Sequence, residues 1–581
     1  MSTTLTGKND ANLDALALSL PSPFDQRFRS AADSWTHDGK VARLWSRDAS
    51  LWTSSDESKW MGWLDIITQQ RANLATLKTF QSEVKNAAWK YAVVLGMGGS
   101  SLCPEVTALT FGHQPGFPQL LILDSTDPAQ VAALDHRLDL KRTLFIVASK
   151  SGSTLEPNIF KQYFFERTRN SVGDQVGKHF VAVTDPGSKM EQVARSDNFA
   201  HIFYGVPSIG GRYSALSDFG LVPAAAAGLD LDRLLDRAEA MATACTDPNA
   251  DNNPGVRLGL ALGTLGVAAH DKITIVASPK IFDLGAWLEQ LIAESTGKIG
   301  KGLIPVDREP LGAPAVYGKD RVFVSLHLRG DDDEHSAALG KLASAGNPVL
   351  RIELNDLYDV WAEYFRWEIA TAVAGSVIGI NPFDQPDVEA SKIVTRSLTT
   401  EYEKNGALPL EQPFFEENDI KLFADDKNAA ELKRLAPEHS LAGYLHAHLA
   451  RLHAGDYAAL LAYIQMNAAH EDEIQRLRML IRDRKQVATC VGFGPRFLHS
   501  TGQAYKGGPN SGVFLQFTCD HAHDLPVPGQ KYTFGVVEAA QARGDLEVLN
   551  QRGRRALRIH LPADVGGSLA RITDVIQSAL K

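Results

Sequence analysis

Residues 91–106 read YAVVLGMGGSSLCPEV, and residues 145–157 read FIVASKSGSTLEP. Each starts as a short apolar run, turns on glycines or hydroxyls, and continues with helical spacing. A short apolar run bounded by turn residues is a buried-strand pattern. Strand, turn and helix in repetition point to a parallel, doubly wound sheet. Tyr91–Leu95, Gln119–Leu123, Leu144–Ala148 and Phe180–Val183 supply four strands, each followed by a turn residue or cap. Lys272–Ala277, Val322–Leu328 and Val349–Leu354 supply a second set, separated by an Asp-, Asn- and Pro-rich link at 246–254. The expectation is an α/β fold with two doubly wound parallel-sheet domains, at 89–250 and 251–400.

Residues 1–88 hold Trp35, Trp45, Trp52, Trp60 and Trp63, and Trp60, Trp63, Leu64 and Ile67 recur at helical spacing. This stretch reads as a helical N-terminal layer whose tryptophans are core. Residues 401–581 read as a helical and α/β C-terminal region, helical from Asn428 to about Arg484 and α/β-like from Val487. Residues 533–561 echo 322–354 as strand, acidic turn, helix, strand, but one echo is not a repeat family.

The 581 residues are 44% hydrophobic and 22% charged, with a net charge of −10, so disorder and collagen-like repeats are excluded. No basic block stands out, which disfavours nucleic acid or an anionic membrane as the partner. An anionic substrate must therefore meet a local positive site. The four cysteines, Cys103, Cys245, Cys490 and Cys519, form no CxxC pair and no disulfide framework. No run approaches the ~18 apolar residues of a membrane helix. The N-terminal stretch lacks a basic segment before an apolar run, so no secretory leader is expected and a cytoplasmic location is.

Six segments carry groups suited to chemistry. After the first strand, glycines at 96, 98 and 99 let the backbone approach a ligand, and Ser100 and Ser101 stand at the next helix's start. Strand, glycine turn and helix N-terminus make an anion cradle, though a tight turn without a ligand would use the same residues. Ser149, Lys150, Ser151, Ser153 and Thr154 crowd four hydroxyls and a lysine before another helix, more than an N-cap needs, and suit a phosphate monoester. Residues 204–220, YGVPSIGGRYSALSDFG, free the backbone at Gly210 and Gly211 before Arg212, which could be aimed into a cleft or lie in a surface ion pair.

Residues 283–298, DLGAWLEQLIAESTGK, put Leu284, Trp287, Leu288, Leu291 and Ile292 on an apolar stripe, with Gln290 and Glu294 four apart on one face. A partly desolvated carboxylate there could serve as a general base; a solvated surface Glu is the plainer alternative. Residues 379–392, GINPFDQPDVEASK, set Gln385 and Lys392 seven apart, about two helical turns. Residues 496–508, RFLHSTGQAYKGG, offer His499 as a proton shuttle. His446 with His448, and His521 with His523, lack visible third and fourth ligands, so no metal site is assigned.

Taken together, these segments resemble the phosphoglucose isomerase family, which is built from two sugar-isomerase (SIS) domains. The resemblance covers most of 90–395 in pieces. It implies a sugar phosphate as substrate and glucose 6-phosphate/fructose 6-phosphate isomerisation, with no cofactor. It places Gly99 and Ser100 in the first sugar-binding loop and Ser149, Lys150, Ser151 and Thr154 around the phosphate. Arg212, behind Gly211, becomes the electrostatic residue, Glu294 the base with Gln290 beside the sugar, Gln385 a neighbour of the phosphate and Lys392 of the ring oxygen. A non-catalytic sugar-phosphate regulator, or an isomerase of mannose or amino sugar phosphates, is the alternative. Common members carry a histidine motif between base and lysine. Here 297–310, GKIGKGLIPVDREP, has none, and LHSTGQ follows the lysine at 498–503. That order resembles the isomerase half of transaldolase–isomerase fusion proteins. The histidine loop must fold back against the base helix from its own chain or a neighbour's; the resemblance implies a homodimer and favours the neighbour.

Overall fold

A computed structural model describes residues 16–331 and 333–580; residues 1–15 of the expected N-terminal layer lie outside the described residues. The described chain opens on a short strand, β1 (Leu16–Ser19), then runs through helices Ser22–His37 and Ile66–Ala87. Trp35, Trp52 and Trp63 are buried there, and Trp52 Nε1 donates to the Ala372 carbonyl at 2.8 Å. This N-terminal segment therefore packs against a later helix, Asp359–Ile378.

The first sheet contains β2 (Tyr91–Leu95), β3 (Gln119–Leu123), β4 (Thr143–Ala148), β5 (Phe180–Thr184) and β6 (His201–Tyr204), all parallel, in the order β3-β2-β4-β5-β6. Every residue of β2, β4 and β5 is buried, as helices on both faces of a parallel sheet require. The second sheet is built from β7 (Lys272–Ala277), β8 (Ile304–Val306), β9 (Arg321–Leu328) and β10 (Val349–Leu354), parallel in the order β10-β9-β7-β8, with β1 antiparallel on the β10 edge. β6 and β8 lacked a sequence signal for physical reasons. HIFY is a half-exposed edge, and IPV is three residues with a proline.

A third sheet spans 415–561; its strand Tyr457–Ala462 falls within 428–484, where helices alone were expected, and its last three strands fall in the stretch from Val487 expected to be α/β. It comprises β11 (Phe415–Glu417), β12 (Ile420–Phe423), β13 (Tyr457–Ala462), β14 (Ala488–Phe493), β15 (Gly512–Cys519) and β16 (Arg555–Leu561). Its parallel part is ordered β16-β15-β13-β14. The run YAALLA of β13 is wholly buried, and periodicity cannot tell such a run from a buried helix. In all three sheets the first parallel strand lies between the second and the third, so the chain reverses direction beside it. The carboxyl ends on either side of that strand form a crevice, the usual ligand position of open α/β sheets.

Among the described residues no helix is long and apolar enough to cross a membrane. Ile304 and Val306 of β8 share a core with Tyr457, Ala488 and Phe514 of the third sheet, which fixes that sheet against the second.

Candidate active site

Loops after β2 and β4 flank the reversal point of the first sheet, and both are sites expected from sequence. The β2 loop turns through Gly98–Ser100. Gly98 has a φ of +55°, and a Cβ there would come within 2.8 Å of Gln290 Nε2 and 2.9 Å of the His499 carbonyl. A Cβ on Gly99 would overlap the Gly211 carbonyl. Backbone alone fits at both positions, so the loop lies against the Arg212 turn, Gln290 and His499.

Helix Leu284–Thr296 buries its stripe of Leu284, Trp287, Leu288, Leu291 and Ile292 completely. Its other functional face is also buried: Gln290 is 3% exposed and Glu294 7%. Gln290 Nε2 donates to Glu294 Oε2 at 3.0 Å and to the His499 carbonyl at 2.8 Å. The other carboxylate oxygen, Glu294 Oε1, lies 3.2 Å from Arg212 Nη1. Each oxygen thus has its own donor, and the carboxylate is fixed in rotation.

Arg212 is 1% exposed and spends its fork on four neighbours besides Glu294. Nε donates to Ser295 Oγ (2.7 Å), Nη1 to Gln385 Oε1 (3.0 Å), and Nη2 to the Pro382 and Asp384 carbonyls (2.7 and 2.9 Å). A buried guanidinium with donors so committed is held as a fixed positive charge. Next to it, Tyr213 stacks on Trp63 at 5.3 Å and meets Phe383 at the same separation, which locks the turn. Gln385 therefore faces Arg212, as the residue before helix Pro386–Asn405.

The β4 loop leads into helix Leu155–Val172, with Thr154 at the N-cap making no side-chain cap bond. Ser149 Oγ is buried and unpartnered, while Ser151 and Ser153 hydroxyls pair at 2.7 Å. A buried orphan hydroxyl beside a helix N-terminus is prepared for an anion. Lys150 turns elsewhere: its ammonium donates to Asp185 Oδ1 (2.9 Å) and the Val206 carbonyl (3.0 Å).

His499 arrives from the short turn Arg496–His499 after β14 of the third sheet, in the same chain. Its Nε2 lies 2.9 Å from Glu156 Oε1, in the first turn of helix Leu155–Val172. Burial works against the charge of Glu156, but the facing His499 ring, together with a backbone amide, holds the carboxyl below its ordinary range. Lys392 acts on Glu156 in the same direction through its charge. Lys392 itself stands outside the Arg212–Glu294 cluster; its side chain is 38% exposed, and its ammonium lies 3.7 Å from Glu389.

Four contributors escaped the sequence reading. Glu156 was inside a quoted motif, but its role depends on a histidine 343 positions away. Lys298 is 4% exposed; it donates to the Ser295 and Asn381 carbonyls at 2.8 and 2.7 Å, and burial, aided by Arg212, lowers its ammonium to about 7. Gln503 accepts from the Asp387 and Val388 amides (2.9 and 3.2 Å) and donates to the Gly297 carbonyl (3.0 Å). Arg496 anchors the histidine turn on Asp124 (2.8 Å) and Glu105 (2.7 Å). The GQ of LHSTGQ was the only available sign of Gln503, and no pattern marks the others.

Parallel sheets in sequence, glycine and hydroxyl loops at a reversal point, and a buried Glu–Arg pair define a protein of the phosphosugar-isomerase class, with two SIS domains and a third α/β unit. A solved hypothetical protein of Thermus thermophilus has the same fold: TM-score 0.56, 24% identity, 66% of this chain and 99% of that one. The family model "Phosphoglucose isomerase" matches residues 49–310. Among curated relatives, the glucose-6-phosphate isomerase of Thermosynechococcus vestitus is 30% identical over 404 residues, 61% of this chain and 74% of that protein. Those of Rubrobacter xylanophilus (30%; 52% and 81%) and Symbiobacterium thermophilum (29%; 57% and 85%) are similar. The chain belongs to the phosphoglucose isomerase family.

Proposed function

We propose that this chain is a glucose-6-phosphate isomerase, an aldose–ketose isomerase that interconverts glucose 6-phosphate and fructose 6-phosphate. The observation that carries the reading is Glu294, a buried carboxylate clamped by Gln290 and Arg212 beside the first glycine loop. Phosphate would dock on Ser149, Ser151 and Thr154, where the helix N-terminus and the unpartnered Ser149 hydroxyl support it. Ring opening needs an acid and a base at O1 and the ring oxygen, the work assigned to His499 and Lys392. Glu294 then takes the C2 proton as electrons move onto O1, the O2 hydroxyl proton of the resulting cis-enediolate passes to O1, and the same carboxylic acid returns its proton to C1 as the C2 carbonyl forms. The fixed charge of Arg212 stabilises that anion.

Lys150 would hold the loop through Asp185 and leave the phosphate to hydroxyls and amides. We assign the protein to the cytosol, which four free cysteines, three of them buried, support. We also assign a homodimer, for which Ile299 and Ile393, 75% and 58% exposed, offer apolar surface. A coupled assay of fructose 6-phosphate conversion tests the activity; a purified, folded chain without turnover would overturn it.

A further inference from the structure

His521 follows β15 at the carboxyl edge of the third sheet, beside that sheet's own reversal point. Two histidines were visible in CDHAHD, but not the carboxylates that complete a set, because those come from other segments. Asp127 is the N-cap of helix Pro128–Arg137 in the first domain, and Glu538 lies in the first turns of helix Phe534–Gln551. One donor atom from each of Asp127, His521 and Glu538 lies within 4.8 Å of the other two. His521 Nε2 is 3.2 Å from Glu538 Oε2, and Nδ1 is 4.0 Å from Asp127 Oδ2.

We propose that Asp127, His521 and Glu538 form a binding site for a divalent transition-metal ion of the zinc class, bridging the first and third α/β units. Two carboxylates and one imidazole match the charge and the borderline character of such an ion. Independent support comes from Glu538, which is 2% exposed and whose Oε1 has no hydrogen-bond partner. A buried carboxylate oxygen left unpaired is costly, and a cation at this place would satisfy it. Asp127 is divided in the way a ligand requires: Oδ1 caps the helix through the Gln130 amide at 2.8 Å, and Oδ2 faces His521. Metal bonds of about 2.0–2.2 Å require donor separations near 3.5 Å, so with a single ring nitrogen of His521 as ligand the wider separations, up to 4.8 Å, draw in on loading. Three protein ligands leave a fourth position open, and cavities of about 380 and 550 Å³, both lined by Cys519 and His521, flank the site.

The location has a consequence for the isomerase site. Gln541 lies one helical turn beyond Glu538; it accepts from Thr126 Oγ1 (2.7 Å) and donates to Glu156 Oε1 (2.6 Å), the oxygen that faces His499. Thr126 in turn precedes Asp127. The metal would tie together the two segments that hold the partner of His499.

The test is Zn²⁺ titration of the tag-free full chain after chelator treatment, by calorimetry and by thermal unfolding with and without the ion. One equivalent bound, with a raised midpoint, is expected, and His521→Gln and Glu538→Gln should each weaken binding roughly 100-fold or more. Absence of stoichiometric binding, or unchanged binding in both variants, overturns the site. Co²⁺ on the wild-type chain needs no folded variant: intense visible bands of four- or five-coordinate cobalt support it, and the weak spectrum of aqueous cobalt overturns it. These readouts do not involve turnover, so they stand apart from the isomerase assay.

Discussion

Glu294 has one oxygen on Gln290 and the other near Arg212, which leaves it no free rotation. Glu294→Gln keeps the shape but cannot accept a proton. Turnover should fall on the order of 10²–10⁴-fold or more while 6-phosphogluconate, an open-chain acid analogue, still binds. More than about a tenth of wild-type turnover would remove Glu294 from the role of base. A different carboxyl tests the core. Glu368 is wholly buried, neither oxygen has a partner, and burial raises its pKa well above the ordinary 4.5. Its folded value lies above its unfolded one, so below about pH 4.5 both states are protonated and nothing is lost. As pH rises further the unfolded chain ionises and the folded one does not, at up to about 1.4 kcal/mol of stability per pH unit. Glu368→Gln should therefore match wild type in urea unfolding at pH 4.5 and exceed it at pH 8. An equal difference at both pH values would refute the neutral buried carboxyl.

At the scale of elements, the β4 loop is the sharpest case. Ser149 Oγ makes no bond in the free protein, so Ser149→Ala with Thr154→Ala should leave the melting midpoint nearly unchanged. The same pair should raise KM more than it lowers kcat, since hydrogen bonds to charged groups are worth roughly 1.5–3 kcal/mol each. Unchanged affinity would move the phosphate elsewhere. Gln503 gives the opposite pattern. It joins the start of helix Pro386–Asn405 to the end of helix Leu284–Thr296, and Gln503→Ala would orphan two amides and a carbonyl. At roughly 1–3 kcal/mol per buried orphan, the variant should melt lower and lose turnover together. The strands β2, β3, β4, β5, β7, β9 and β10 were legible because their apolar runs are short and bounded by turns. The loops after β2 and β4 were legible because glycines and hydroxyls have few other uses there. Glu156 and Gln541 were not, because their meaning lies in contacts 343 and 385 residues distant.

For the whole molecule, the order of motifs decides how many chains build one site. The resemblance implied a histidine donated by a neighbour, whereas the structure brings His499 to Gln290 and Glu156 of its own chain. Mixing inactive His499→Ala with inactive Glu294→Gln chains should then restore nothing after proven subunit exchange, and recovery would show a shared site. The third sheet was illegible as a unit because β13 reads equally as helix and β14 as the start of a tail. Its common order with the other two sheets appears only once the pairing is known.

The 209 positions that separate Gln290 from His499 also set a schedule. A ribosome adding 5–20 residues per second needs roughly 10–40 s to go from one to the other. For nearly all of that interval a nascent chain already carries Ser149, Arg212 and Glu294 but lacks His499. The cradle assigned to the phosphate is thus complete on the ribosome well before the ring-opening group, and the first two sheets are made before the third.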